Sequence, residues 1–459
     1  MKSNFLLFLV LLLISCSDSN KELPVDRIFV ISGGNKTITQ GLSLDEPIVV
    51  KAISDGEGVS GVNIEIEVLE GDGFPNMNTF KTDDDGEVEI QFTAGKAGLN
   101  TIVFYLSTDN SIKAQTTIKT SYSYTTPRQG SDGIEVGSLY EMASNPQSII
   151  NAIDEIRWGN FDKIHSILVI KNDQLIAEEY FSGYDSQGNF HDFNISFPHE
   201  VQSASKSYRS MLIGIGIDQG YIESEQELFF SFFPEHQNKA NNGKEKITLH
   251  HILTMSGGLK WDEWSGNSLS QMYNMPANKW DDFVLSQPLA SSPGLTWVYN
   301  TGASILLNQV LMDRLEISFS KFVKDFYADK VQSTSLPGVG NPLGAKTTPR
   351  DMAKLGIVYK NGGMWKDTRV ISEEWVDKSL TPWYNTSPKV HYGYQWWIRE
   401  QETPSGTFTS YSAEGNGGQF IIFIRELDLI VVFTGGHFGS NQMFRSQELL
   451  RKFIIPAFG

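Results

Sequence analysis

Ser203-Ala204-Ser205-Lys206 sets a hydroxyl and an amine three residues apart, a spacing that puts both side chains on one face of a helix. An amine beside a serine hydroxyl makes a nucleophile without a histidine, because the amine takes the hydroxyl proton. The pattern fixes only two positions and occurs again as Ser318-Phe319-Ser320-Lys321, so context must separate the two. After Lys206 the stretch Met211 to Ile217 is apolar nearly all round, as in a buried helix, with Ser203 near its amino end where free backbone amides favour negative charge. After Ser318, by contrast, Phe319, Phe322, Val323 and Phe326 alternate with Lys321, Lys324 and Asp325, which predicts an amphipathic surface helix with Ser318 as its N-cap.

The elements that hold such a pair are legible in outline. His165 to Ile170 is a continuous apolar run, Asn172-Asp173 a turn, and Leu175 to Phe181 the expected hairpin partner. Phe420 to Ile424 and Leu429 to Phe433 form two more apolar strands joined across Arg425 to Asp428. Strands at both ends with helices between them predict an α/β domain, an antiparallel sheet flanked by helices that unites both ends of the domain and carries a helical subdomain. Ahead of it, alternation in Val62, Ile64, Ile66, Val68 and in Val88, Ile90, Phe92, with turns at Asp55-Gly56, Gly71-Asp72-Gly73 and Asp85-Gly86, predicts a β-sandwich of about 100 residues. The order of its pieces resembles bacterial immunoglobulin-like domains of the invasin type. Asp83-Asp84-Asp85-Gly86 reads as a solvated turn, since a calcium loop needs carboxylates at alternating positions.

Lys2 followed by ten apolar residues, Phe5 to Ile14, suits a signal-peptide core and is too short to span a bilayer. Leu13-Ile14-Ser15-Cys16 resembles the bacterial lipoprotein cleavage box. Cys16 is the sole cysteine, which excludes an intramolecular disulfide and suggests a diacylglyceryl anchor. The expected layout is therefore a signal peptide over 1–15, a lipid-anchored tether over 16–24, the immunoglobulin-like unit over 25–122, a Ser/Thr/Pro/Gly-rich linker over 123–140 and the α/β domain over 141–459. The expected location is the cell envelope, anchored to a bacterial membrane and exposed outside the cytoplasm. The chain has 459 residues, 40% of them hydrophobic, and a formal charge of -17, which argues for folded bodies and against a nucleic-acid partner. From Cys16 to Thr125 there are 17 acidic and 8 basic residues, a concentration of charge that marks this segment as a separate unit.

Further motifs follow the first in order: Leu249-His250-His251-Ile252-Leu253-Thr254-Met255-Ser256-Gly257-Gly258-Leu259, Pro293 to Gly302 with Tyr299-Asn300-Thr301, Arg350-Asp351-Met352-Ala353-Lys354-Leu355-Gly356, Tyr392-Gly393-Tyr394-Gln395-Trp396-Trp397, and Gly415-Asn416-Gly417-Gly418-Gln419. From His165 to Phe433 the chain thereby resembles the serine β-lactamase and penicillin-recognising superfamily, closest to class C β-lactamase-like esterases and 6-aminohexanoate-dimer hydrolase-like proteins. The resemblance implies Ser203 as nucleophile, Lys206 as the group that takes its proton, and Tyr299 as the second-motif tyrosine that relays the proton to the leaving group. A free phenolate lies about 4 kcal/mol uphill at pH 7, a cost that a neighbouring ammonium lowers.

The resemblance further implies an oxyanion hole from the backbone amides of Ser203 and Gln419. It also implies substrate contacts from Thr301, Asn416, Gly417 and Gly418, the last three on a strand. Asn416 stands where the family commonly has a cation, and Thr301 where lactamases carry an asparagine. Both departures favour an ester or amide substrate over a β-lactam. The expected activity is that of a serine hydrolase working through an acyl-enzyme on a small-molecule or peptide-like ester or amide. The alternatives are a catalytically idle surface binding protein and a D-alanyl peptidase or penicillin-binding protein.

No Gly-x-Ser-x-Gly elbow occurs in the sequence, which counts against an α/β-hydrolase. The histidines form no His-Glu-x-x-His pattern, and His250 and His251 diverge on a helix. No metal or other cofactor is called for. Trp396 and Trp397 read as core aromatics, with a substrate cleft as the rival role.

Overall fold

The structure, a computed structural model, describes residues 24–96, 98–265, 267–339 and 345–459. The expected signal peptide, tether and Cys16 lie outside the described residues. Among these residues no helix is long and apolar enough to cross a membrane. The chain divides into two units, Met1–Ser121 and Tyr122–Gly459.

The first unit is strand-rich. One sheet contains Arg27–Ser32, Ile48–Ser54, Glu57–Gly58 and Glu87–Ile90; a five-stranded sheet contains Lys36–Thr39, Asp109–Ser121, Leu99–Leu106, Asn63–Glu70 and Thr79–Lys81. Alternation sets the faces: Ile64 and Ile66 are buried while Glu65 and Glu67, which alternate with them, are exposed. Ile28, Val50 and Ala52 of one sheet and Ile64, Ile102, Phe104 and Ile118 of the other belong to one apolar cluster. Each large aliphatic or aromatic member contributes about 1.5–3 kcal/mol of transfer free energy. The triple-aspartate segment is a turn in which Asp83 Oδ1 accepts from the amides of Asp85 and Glu87.

The second unit is built on a nine-stranded sheet in the order Glu135–Val136, Gln174–Tyr180, Ile164–Lys171, Leu429–Gly435, Gln419–Ile424, Gly406–Gly415, Trp397–Thr403, Val390–Tyr392, Tyr384–Ser387. The early hairpin and the late strands pair directly, Ile164–Lys171 against Leu429–Gly435, so the sheet unites both ends of the domain as expected. Ile164–Lys171 reads as a continuous apolar run because both faces are covered: Leu168 and Ile170 join one core, Ile167 and Val169 the other. On the second face lie the helix Pro146–Arg157 and the C-terminal turns from Arg445 to Ala457. On the first face lie Ser205–Asp218, Pro349–Lys360 and a group of short helices from Leu249–Leu253 to Phe319–Val323. Pro349–Lys360 packs on the sheet at Gly356, where a Cβ would come within 2.9 Å of Ile430 Cγ2 and 3.1 Å of Ile421 Cγ2. A larger residue there would lift the helix off the sheet.

The segment 123–140 is not a free linker. Tyr122 N donates to Asp154 Oδ1 at 2.5 Å, Tyr124 Oη to the Ile176 carbonyl at 3.0 Å, and Glu135–Val136 pairs in parallel with Gln174 and Leu175. Its polar, proline-containing composition concealed this docking, because only a few apolar side chains, Tyr122, Ile134 and Leu139, are buried in the domain and the rest of the attachment runs through hydrogen bonds to backbone and to Asp154.

Candidate active site

The nucleophile candidate sits in a tight turn. Ser203 lies in the 3-10 turn Gln202–Ala204, directly before the helix Ser205–Asp218. Gln202 has φ +51°, a left-handed conformation costly for a side chain of its shape and of a kind that clusters at functional sites. The helix that follows is buried along nearly its whole length, and Lys206 with it. Its Nζ donates to Ser203 Oγ at 2.9 Å and lies 4.7 Å from the centre of the Tyr299 ring. Burial brings the lysine down to about 7; a nearby carboxylate, Glu263, opposes that fall, and Arg209 one turn along the helix adds to it. At neutral pH a substantial fraction of Lys206 is therefore a free amine, able to accept a proton.

Tyr299 is fixed from both sides of the chain. Val298 N donates to the Met255 carbonyl at 2.8 Å and Asn300 N meets Met255 Sδ at 3.2 Å. Asn300 then caps the helix Thr301–Ile305 by accepting from Ala303 N at 2.8 Å. The phenol stacks between Trp264, at 5.7 Å between centroids, and Trp397, at 5.9 Å, and it hydrogen-bonds with Ser203. Its acidity departs from the expectation. Burial and the carboxylates of Glu263 and Glu414 push it well above the usual tyrosine range, outweighing the Ser203 contact. Tyr299 is therefore protonated in the resting site, while burial favours the free amine of Lys206.

The third motif also differs. Asn416, Gly417 and Gly418 are not on a strand; they form the hairpin turn between Gly406–Gly415 and Gln419–Ile424, with φ of +93° and +98° at the two glycines, angles a strand does not adopt. The backbone pressed against the nucleophile turn is Gly415, where a Cβ would fall 2.2 Å from the Val201 carbonyl oxygen and 3.2 Å from Ala204 N. Gln419 faces Gly415 in register and donates from Nε2 to the Gly435 carbonyl at 2.7 Å. Asn416 Oδ1 accepts from Gly439 N at 2.8 Å and so ties down the neighbouring loop. Thr301 spends its amide on Glu263 Oε2, at 3.1 Å, and its hydroxyl on Glu263 Oε1. The structure thus brings Ser203, Lys206 and Tyr299 together and sets the Gly415–Gln419 rung beside them, while Thr301 and Asn416 are engaged internally.

Three residues carry weight that the motifs did not reveal. Gln395, with φ +62°, receives Ser304 Oγ at 2.7 Å, donates to the Ile252 and Leu253 carbonyls at 3.1 and 2.8 Å, and offers its own carbonyl to Ser207 at 2.7 Å. It links the nucleophile helix to the tyrosine segment. Arg209 shares the Lys206 face of its helix at a spacing of three residues, a signal the sequence did contain. Glu263 lies between Trp261 and Trp264, and only its contact with Thr301 across the fold reveals it. Of the tryptophan pair, Trp396 is fully buried and Trp397 flanks Tyr299. His250 bonds Tyr394 Oη at 2.7 Å and His251 Nδ1 accepts from Thr248 N at 3.1 Å, so both serve local structure.

The fold defines a class, the β-lactamase-like proteins. The Beta-lactamase family matches residues 165–453, well over half of the chain, and the chain belongs to that family. An uncharacterised protein of Alkalihalophilus pseudofirmus is 22% identical over 312 residues, covering 63% of this chain and 88% of its own. Among solved structures, EstCE1, a hydrolase with promiscuous acyltransferase activity, superposes with a TM-score of 0.55 at 12% identity, over 68% of this chain and 99% of its own. A penicillin-binding protein from Bacillus halodurans superposes with a TM-score of 0.51 at 16% identity, over 64% and 98%. Members of the family are mostly serine hydrolases, among them esterases, amide hydrolases and penicillin-binding-like proteins.

Proposed function

We propose that this protein is a serine hydrolase that forms an acyl-enzyme on Ser203 with an ester or amide substrate. The observation that carries this reading is the buried Lys206 amine at 2.9 Å from Ser203 Oγ, brought down to about 7 by its burial. Lys206 takes the serine proton as Oγ bonds the acyl carbon, and the leaving group departs with a proton passed on through Tyr299. The backbone amides of Ser203 and of the Gly415–Gln419 rung receive the oxyanion. An acylated serine is resolved by water or by another nucleophile, the chemistry that EstCE1 displays as hydrolase and acyltransferase.

The substrate is an ester or amide rather than a β-lactam, because Asn416 stands where the family commonly has a cation and Thr301 is bonded to Glu263. Trp264, 81% exposed while stacked on Tyr299, offers an apolar wall at the mouth of the site. Cys16 carries a lipid that anchors the enzyme to a bacterial membrane, exposed outside the cytoplasm, and the first unit, immunoglobulin-like, serves as a spacer or binding module. Intact-mass measurement after exposure to ester, amide and β-lactam panels tests the activity. Acyl adducts on the wild type, absent from Ser203→Ala, are expected with esters or amides. No adduct with any acyl donor would overturn it.

A further inference from the structure

Glu263 belongs to no recognised motif of this chain, yet its carboxylate is held as firmly as the catalytic groups. Trp261 Nε1 donates to Oε2 at 2.7 Å, Thr301 N to the same oxygen at 3.1 Å, and Thr301 Oγ1 to Oε1. All three donors are neutral, so they fix the carboxylate in place and leave its charge uncancelled. Two of them belong to Thr301, two residues beyond Tyr299, and the next residue, Trp264, stacks on the Tyr299 ring at 5.7 Å. Lys206 Nζ lies 4.7 Å from the centre of the same ring. Glu263 is thus anchored on the segment that carries the phenol facing Lys206.

We propose that Glu263 is the counter-charge of the Ser203–Lys206 pair, a positioning residue that favours the ammonium formed when Lys206 takes the serine proton, and that Arg209 acts against it. The inference rests on the serine-hydrolase reading above. In the step concerned the Ser203 O–H bond breaks, its proton goes to the Lys206 amine, and the Oγ electron pair forms the bond to the acyl carbon. Glu263 does not participate in the proton transfer. Its part resembles that of an acid that steadies a catalytic imidazolium without accepting its proton. The charges that act on the amine are Glu263 from the loop, which opposes the effect of burial, and Arg209 from the same helix, which adds to it. The Tyr299 ring lies 4.7 Å from the amine, and Tyr392 packs 6.3 Å from that ring. Tyr273 is influenced by both Glu263 and Arg209, and Glu414, which acts on Tyr299, is held bidentate by Arg399 at 2.8 and 2.9 Å. Lys206 feels Glu263 and Arg209 with opposite sign, which is what the placement requires.

The test is the pH dependence of Ser203 labelling by a fluorophosphonate, in which Oγ displaces fluoride from phosphorus and the serine proton passes to Lys206. The probe carries no cation, so a carboxylate whose role is to bind a cationic substrate leaves its rate unmoved. For Glu263→Gln the acid limb of the rate is expected to fall by about one pH unit, since an opposite charge removed from a lysine's surroundings has an effect of that order. The plateau rate should drop about tenfold with the weaker base. For Arg209→Met the limb should rise, Arg209→Lys should restore it, and Glu263→Gln with Arg209→Met should return close to the wild type. Thr301→Val, which removes one donor to the carboxylate and leaves its charge, gives a smaller shift in the direction of Glu263→Gln and serves if that variant does not fold. A folded Glu263→Gln protein with an unmoved limb overturns this inference alone. A wild type that is never labelled at Ser203 overturns the serine-hydrolase reading and the inference with it.

Discussion

Ser203 to Lys206 and Ser318 to Lys321 share one pattern and differ in everything that surrounds it. Lys206 is 2% exposed and its amine donates to its own serine at 2.9 Å. Lys321 is exposed, and its amine reaches forward to Asp325 at 2.6 Å, a contact that raises its affinity for a proton. Ser318 Oγ accepts from the Lys321 backbone amide at 3.2 Å and caps the helix Phe319–Val323. One serine is held next to an amine that burial has deprived of solvation; the other spends its oxygen on a backbone amide. Spacing sets only whether two side chains share a face, and dielectric and neighbours decide the chemistry.

The sharpest way to break this contrast is to remove the two hydroxyls in turn. Ser203→Ala is expected to abolish labelling by a fluorophosphonate and to lower turnover of any accepted ester by at least about 10³-fold, the scale of losing a nucleophile. Ser318→Ala should leave both unchanged. Equal losses in the two variants, measured by active-site titration, would show that the copies are not distinct.

The lysines extend the test to stability. Lys206→Met should lower kcat by about 10²- to 10⁴-fold, as for a missing general base, and Lys321→Met should not. Stability should move the opposite way. The folded protein holds Lys206 near 7 against 10.5 when free, so between those values the unfolded chain binds more protons and wild-type stability rises with pH. Below pH 7 the penalty of the buried ammonium is present in full. Lys206→Met should therefore melt a few degrees above the wild type at pH 6, with the gain shrinking toward pH 10. In the wild type, kcat/KM should fall below an apparent pKa near 7. An acid limb near 4 would point to a carboxylate base.

Gln395 sharpens the comparison because it ties the first copy to a partner segment. Gln395→Leu leaves Ser304 Oγ without its buried partner, at about 1–3 kcal/mol, while the Leu253 carbonyl keeps the backbone amide of residue 395. Turnover should fall about tenfold as Tyr299 and the nucleophile helix lose their fixed separation. Calorimetry together with steady-state rates checks both effects, and a rate loss without destabilisation would argue against a linking role.

What could be read in advance follows from how local each feature is. The strands at 164–171 and 429–435 were legible because burial on both faces makes a strand apolar at every position, and Ser203 because an apolar helix follows it. Glu263 was not legible, since its partner Thr301 lies 38 residues on and no periodicity connects them. The Asn416-Gly417-Gly418 turn was misplaced because glycines signal close approach and positive φ alike, and only the register of Gly415 with Gln419 separates the two. The docked segment after Tyr122 was misread because polar composition reports exposure on average and is silent about a hydrogen bond to Asp154.

The smallest expected effect bears on the second copy alone. Ser318→Ala should cost about 1 kcal/mol, the usual worth of an N-cap whose side chain accepts one free helical amide, and lower the melting temperature by about 2–4 °C. The loss stays small because Phe322 and Val323, one turn on, are fully buried and hold the helix whether or not it is capped. Lys321→Met should cost less still, since an exposed ion pair of this kind contributes little. If Ser318→Asn restores the stability that Ser318→Ala loses, the hydroxyl serves as a cap. A rate change in that series would instead assign it a chemical role, and the comparison would have to be redrawn.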